Sequence, residues 1–176
     1  RNTFTNCQWS CITIQGSTAG GVVDNIGIWD IVANRLVIPD NTDTSAGIGM
    51  PVGTTKLFGG IVVGCANYDV SGVSGVFNIY GNSVYNKGVT AGRYSIIIVA
   101  QNGGNVTVDV ANNISLRSGA GARHISVDSS VGAPTYADTF NTNQYGHDGA
   151  LWYYNVAMAD APAWKAASVD VDYGIG

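Results

Sequence analysis

Glutamate is missing from this chain: all twelve acidic residues are Asp, and only eight Lys and Arg oppose them. Leucine is nearly missing too, with Leu36, Leu57, Leu116 and Leu151 far outnumbered by Val and Ile. Without Glu and Leu, and with few Lys, the strong helix formers are gone and the remaining residues favour strands. The cations Arg35, Lys56, Lys87, Arg93, Arg117, Arg123 and Lys165 are scattered and the formal charge is −4. No basic arm or patch exists to neutralise phosphates, which argues against nucleic acid as a partner. No apolar run approaches the length of a membrane-spanning helix. No signal peptide is visible, yet the chain begins at Arg1, as a processed product or fragment would.

Cysteine and histidine are also scarce. Cys7 and Cys11, if placed on one strand, would sit ~13 Å apart and could not bridge each other, so three reduced and mostly buried thiols are expected. The only histidines are His124, expected as a packed or surface residue in a strand, and His147, which with Asp148 reads as a polar turn. No G-x-S-x-G elbow supports a serine hydrolase, and no Cys/His spacing suggests zinc. Asp170 and Asp172 share one strand face, but spacing alone is a weak sign of paired-carboxylate chemistry; a solvated edge strand is the expectation. The Asp-bearing loops at 40–43 and 138–148 lack EF-hand or RTX spacing. The expectation is a non-enzymatic chain with no metal and no cofactor.

What the chain does have is short β-branched or aromatic runs punctuated by Gly and Asn, including Trp29 to Pro39, Lys56 to Ala66, Val76 to Tyr80, Arg93 to Ala100 and Asn105 to Val110. Arg93 to Ala100 is the most apolar and is expected at the centre of a sheet, while Val106, Val108 and Val110 alternate with polar residues, as on a half-wet strand. A bulge near Cys11 would reconcile the two phases of the first strand. Gly81-Asn82 reads as a turn after the Val76 to Tyr80 strand, and Gln101 to Gly104 as the clearest hairpin turn. Beyond a turn at Ala159 to Trp164 no helix is expected, and no internal repeat of fixed period stands out. About ten strands in one domain over residues 1–176 make an all-β jelly-roll sandwich the natural closure, with residues 1–21 as an extended N-terminal strand or arm.

Ile28-Trp29-Asp30, Asn34-Arg35-Leu36-Val37-Ile38-Pro39, the Gly-bearing run Phe58 to Gly64, and Gly75-Val76-Phe77-Asn78-Ile79-Tyr80-Gly81-Asn82 follow one another in an order that resembles the C1q/TNF-like jelly-roll modules of bacteriophage structural proteins. The resemblance implies a homotrimer with aromatic contacts along its axis, seated on a capsid surface or fibre tip, its partners being a major capsid protein or a fibre shaft. The first functional reading is therefore a virion decoration or fibre-head protein.

A second reading is a carbohydrate- or receptor-binding module recognising a host-surface glycan, which rests on the aromatics of the last third. Tyr136, Phe140, Tyr145, Trp152 and Tyr153 are the candidate interface or ligand residues, because aromatic rings beside Asn and Gly suit sugar stacking or subunit contact. A third reading is a secreted, pilin-like subunit that donates a strand, with Phe4, Trp9, Ile12 and Ile14 as the donor residues. The expected location is the virion, or otherwise the extracellular space.

Overall fold

A computed structural model of the chain describes residues 1–5, 7, 10–15, 24–40, 58–65, 73–89, 93–100, 103–129, 135–147, 152–168 and 174–175. Its strands run in a recurring order through three sheets, A, B and C. The first triplet is β1 (Thr3–Thr5), β2 (Ser10–Gln15) and β3 (Asp24–Val32); the second is β4 (Arg35–Ile38), β5 (Phe58–Cys65) and β6 (Val73–Tyr80). The third is β7 (Ser83–Asn86), β8 (Arg93–Val99) and β9 (Asn105–Ala111), and the fourth β10 (Ile114–Arg117), β11 (Ala122–Asp128) and β12 (Thr135–Asn141). β13 (Gln144–Tyr145), β14 (Tyr153–Tyr154), helix α1 (Ala161–Ser168) and β15 (Gly174–Ile175) finish the chain.

Sheet A is ordered β1-β4-β7-β10-β13-β15, sheet B β14-β11-β8-β5-β2 and sheet C β12-β9-β6-β3. Every strand pair in these sheets is parallel. The chain is thus a β-solenoid of about three turns, in which each strand pairs with its counterpart one coil away. The expected jelly-roll sandwich is wrong, because that architecture needs antiparallel neighbours. Gly81-Asn82 does not fold the chain back: it turns it from sheet C into sheet A. Val99 and Asn105 likewise lie in different sheets, so the segment between them joins two faces rather than two neighbours. The strand count exceeds ten because several corner-to-corner segments are only two to four residues long.

The core is built from columns of like residues, one from each coil and spaced by the ~4.8 Å between strands. Ile12, Ile61, Ile96 and Ile125 stand in one column; Ile14, Val63, Ile98 and Val127 in a second; Ile31, Ile79, Val110 and Phe140 in a third. In β9 the buried Val106, Val108 and Val110 alternate with the outward Asn105, Thr107 and Asp109. β8 occupies the middle of sheet B and is buried on both faces: Ile96 and Ile98 join the main core, while Ile97 and Val99 join Val62 and Tyr94 in a separate cluster on the opposite face. Gly64 marks a tight point, with φ at +69° and a Cβ position 2.4 Å from the Val99 carbonyl oxygen.

The corner between sheets C and A follows one rule in every coil. A residue with positive φ, in turn Ala33, Gly81, Asn112 and Thr142, precedes a buried Asn, in turn Asn34, Asn82, Asn113 and Asn143. Each Asn is bonded to the next. Asn82 Oδ1 accepts the main-chain N–H and the Nδ2–H of Asn34, both at 3.0 Å, while Asn82 Nδ2 donates to Ile31 O at 2.8 Å and to Asn113 Oδ1 at 3.0 Å. Asn113 repeats the pattern with Asn143 and Ile79 O. Asn2 extends the ladder at the other end, donating to Asn34 Oδ1 at 3.2 Å. At Asn82 and Asn113 both acceptor and both donor positions of the side-chain amide are used, which is what makes a buried amide column tolerable.

Cys7 and Cys11 form a disulfide, contrary to the expectation of three reduced thiols. Cys7 precedes β2 instead of lying on one strand with Cys11, and the two α-carbons are 5.2 Å apart. The irregularity of the first strands falls between Ile14 and Gln15, not at Cys11.

Candidate interaction surfaces

The solenoid cross-section assigns three destinations to polar chemistry: the sealed interior, the C-terminal end and the outer faces. Inside, Ser115 on β10 places its hydroxyl 2.8 Å from His124 Nδ1 and 2.8 Å from the Ser95 hydroxyl, and His124 Nε2 donates to the His147 carbonyl at 3.1 Å. Since a carbonyl only accepts, Nε2 carries the proton and Nδ1 is the acceptor, with the Ser115 hydroxyl bridging His124 Nδ1 and the Ser95 hydroxyl. Ser95 and His124 have no exposed surface, and burial pulls the His124 pKa down to about 4. This is a neutral, closed relay rather than an accessible nucleophile and base. Gly60, level with Ser95, has no room for a side chain, because a Cβ there would lie 2.8 Å from the Ser95 carbonyl oxygen.

At the C-terminal end the aromatic residues form a plug. Asp160 caps α1 by accepting the Ala163 N–H at 2.8 Å, which sets the helix across the last coil. Trp164 stands edge-on to Phe140 at 5.0 Å and lies over Trp152 at 6.4 Å; Trp152 packs against Tyr145 at 5.2 Å and His124 at 4.9 Å. Of the candidate interface aromatics, Phe140, Tyr145 and Trp152 are therefore buried in this cap, and Tyr136 and Tyr153 are half-buried. Tyr136 and Tyr154 flank Asp138, whose carboxyl is held above its ordinary range by burial.

The candidate donor residues Phe4, Ile12 and Ile14 pack on the chain's own core, with β1 paired to β4 and β2 to β5; Trp9 lies outside the described residues. Asp148, Asp170, Asp172 and residues 41–43 also lie outside them. Among the described residues no group of three or more His, Cys, Asp or Glu is placed to hold a metal, and no helix is long and apolar enough to cross a membrane.

The outer faces hold the residues that sequence reasoning passed over. On sheet A, Val37, Tyr85 and Leu116 form one row across the coils and Arg35, Ser83 and Ile114 the next. Tyr85 is 39% exposed and Leu116 47%, and the Lys87 ammonium sits over the Tyr85 ring at 5.6 Å. A shallow apolar groove of about 140 Å³ follows Arg35, Tyr85, Ile114 and Leu116; a second hollow of about 370 Å³, lined by Arg1, Arg35 and Ser83, adjoins it. The described outward positions of this face hold no Asp.

Sheet C is the opposite. Its outward rows carry Asp30, Asn78, Asp109 and Thr139 in register, with Asn78 donating to Asp30 at 2.7 Å and the Tyr80 hydroxyl bonded to Asp109. The Asp109 partnership pushes the Tyr80 pKa up to about 12. Ile28 and Val32 stand exposed on the same face. No Lys or Arg occupies it among the described residues.

A signal for the corners was present in Arg1-Asn2-Thr3-Phe4, Ala33-Asn34-Arg35-Leu36, Gly81-Asn82-Ser83-Val84, Asn112-Asn113-Ile114-Ser115 and Thr142-Asn143-Gln144-Tyr145. The spacings of the corner Asn residues are 32, 48, 31 and 30, and the long one contains residues 41–57. Searched against protein-family models, curated proteins and solved structures, the chain matches none of them.

Proposed function

We propose that this chain is a non-enzymatic structural module, a stiff solenoid segment that works by presenting flat sheet faces to other macromolecules. The observation that carries the reading is the division of labour in its polar groups. The buried Ser, His and Asn side chains are consumed by hydrogen bonds within and between coils, while the exposed rows Val37–Tyr85–Leu116 and Asp30–Asn78–Asp109 form ordered surfaces. Parallel stacking with an amide ladder gives such a rod rigidity along its axis. A place in a larger particle, a virion fibre or head among them, suits a charge-poor surface of this kind.

The test is a mass-spectrometric search for products from a panel of polysaccharides, glycosides and esters. The expected result is no turnover. Turnover that disappears in Ser115→Ala or His124→Gln, with the fold retained, would overturn the reading.

Glycan recognition is a second reading, now favoured by a different place than the C-terminal aromatics. Tyr85 is exposed beside Arg35 and Ser83 in the sheet A groove, so a glycan array with the wild type and Tyr85→Ala tests it: binding lost in the variant supports it.

A further inference from the structure

We infer that sheet A of one copy docks on sheet C of a second copy, a head-to-tail contact between two different faces of the same chain. This rests on the structural-module reading and names its partner. The argument is charge and shape complementarity. Arg35 and Lys87 stand on the outward face of sheet A with Arg1 beside them, and Asp30 and Asp109 stand on the described outward face of sheet C.

Each face also exposes apolar side chains beside its charges: Tyr85, Ile114 and Leu116 on the first, Ile28 and Val32 on the second. Exposed apolar side chains set beside charged rows suit an interface between soluble subunits. Both faces are built on the same inter-coil spacing, so copies aligned along the solenoid axis bring equal coils level. Lys87 then stands level with Asp109, since β7 and β9 belong to one coil, and Arg35 falls within one coil of both Asp30 and Asp109.

A contact between unlike faces is heterologous, so it closes as a ring or continues as a fibre. Three copies make the smallest ring of that type.

The experiment is sedimentation velocity and equilibrium of the purified chain at low and high salt, with charge reversals on each face. The wild type should self-associate below about 100 µM at low salt and dissociate as salt screens the faces. Arg35→Glu/Lys87→Glu and, separately, Asp30→Lys/Asp109→Lys should each weaken association about tenfold or more, because each places like charges opposite each other. The chain carrying all four reversals should associate again to within about threefold of the wild type. Lys165→Glu, on the cap helix, should change nothing, and circular dichroism should show every variant folded.

A monomeric wild type at about 100 µM would overturn the inference while leaving the non-enzymatic reading intact. Loss of association in the sheet A variant alone, with the Asp30/Asp109 variant unaffected, would also overturn it, since sheet A would then be meeting something other than sheet C.

Discussion

Replacing Asn82 by Ala removes the middle of the corner ladder, and the structure allows its cost to be worked out bond by bond. The side chain accepts two hydrogen bonds from Asn34 and donates two, to Ile31 O and Asn113 Oδ1, all within a fully buried corner. At about 1 kcal/mol net for each, with buried partners left unsatisfied, the loss is about 4 kcal/mol. That is a large share of the roughly 5–15 kcal/mol by which a domain is stable. With an m-value of about 2 kcal/mol/M, the urea midpoint should fall by about 2 M. Asn2→Ala is the internal control: it gives up one part-buried side-chain bond of 3.2 Å, so its effect should stay below about 1 kcal/mol. Asn82→Asp should be worse than Ala, because it puts a carboxylate against Ile31 O and Asn113 Oδ1, where two donors are required. Urea unfolding followed by tryptophan fluorescence and far-UV circular dichroism measures all three. Equal destabilisation at Asn2 and Asn82 would refute the reasoning, since it depends on how many bonds each position completes.

Four other outcomes are expected. His124 has a folded pKa of about 4, below the 6.5 of an unfolded histidine, so between those values the unfolded chain binds the extra proton. Stability should therefore drop by up to about 3 kcal/mol as pH falls from 6.5 to 4, and His124→Gln should remove that part of the pH dependence in urea titrations. Asp138 acts with the opposite sign: its folded pKa is raised, so at neutral pH its charge costs stability that returns on acidification, and Asp138→Asn should leave the melting temperature at pH 7 unchanged or higher. Thiol titration in denaturant without reductant should count one free cysteine of three, and reduction of Cys7–Cys11 should cost about 2 kcal/mol, as suits a short loop. Gly119→Ala should destabilise by about 3 kcal/mol or more on thermal melting, because a Cβ there would lie 2.2 Å from the Gly88 and Lys87 carbonyl oxygens.

Sequence by itself determined the local content of this protein. The alternation of Val106, Val108 and Val110 with Asn105, Thr107 and Asp109 set one wet and one dry face of β9, and the unbroken apolar run from Ile96 to Val99 set a strand buried on both sides. The lack of Glu and Leu kept helices scarce, though among the described residues a short helix, Ala161–Ser168, forms where the sequence suggested only a turn at Ala159 to Trp164.

Which strand pairs with which was decided only in three dimensions. An alternating pattern tells a side chain which face to take and nothing about its neighbour, so short strands with Gly and Asn corners read equally well as a sandwich or a solenoid. The repeat that separates the two was obscured by residues 41–57, which stretch one coil interval to 48 residues while the others stay at 30 to 32. Only the tertiary structure brings Asn34, Asn82, Asn113 and Asn143 into one column, buries Trp152 against His124, and leaves Arg35 and Asp109 on different outer faces, because hydrogen bonds between coils join residues far apart in the chain.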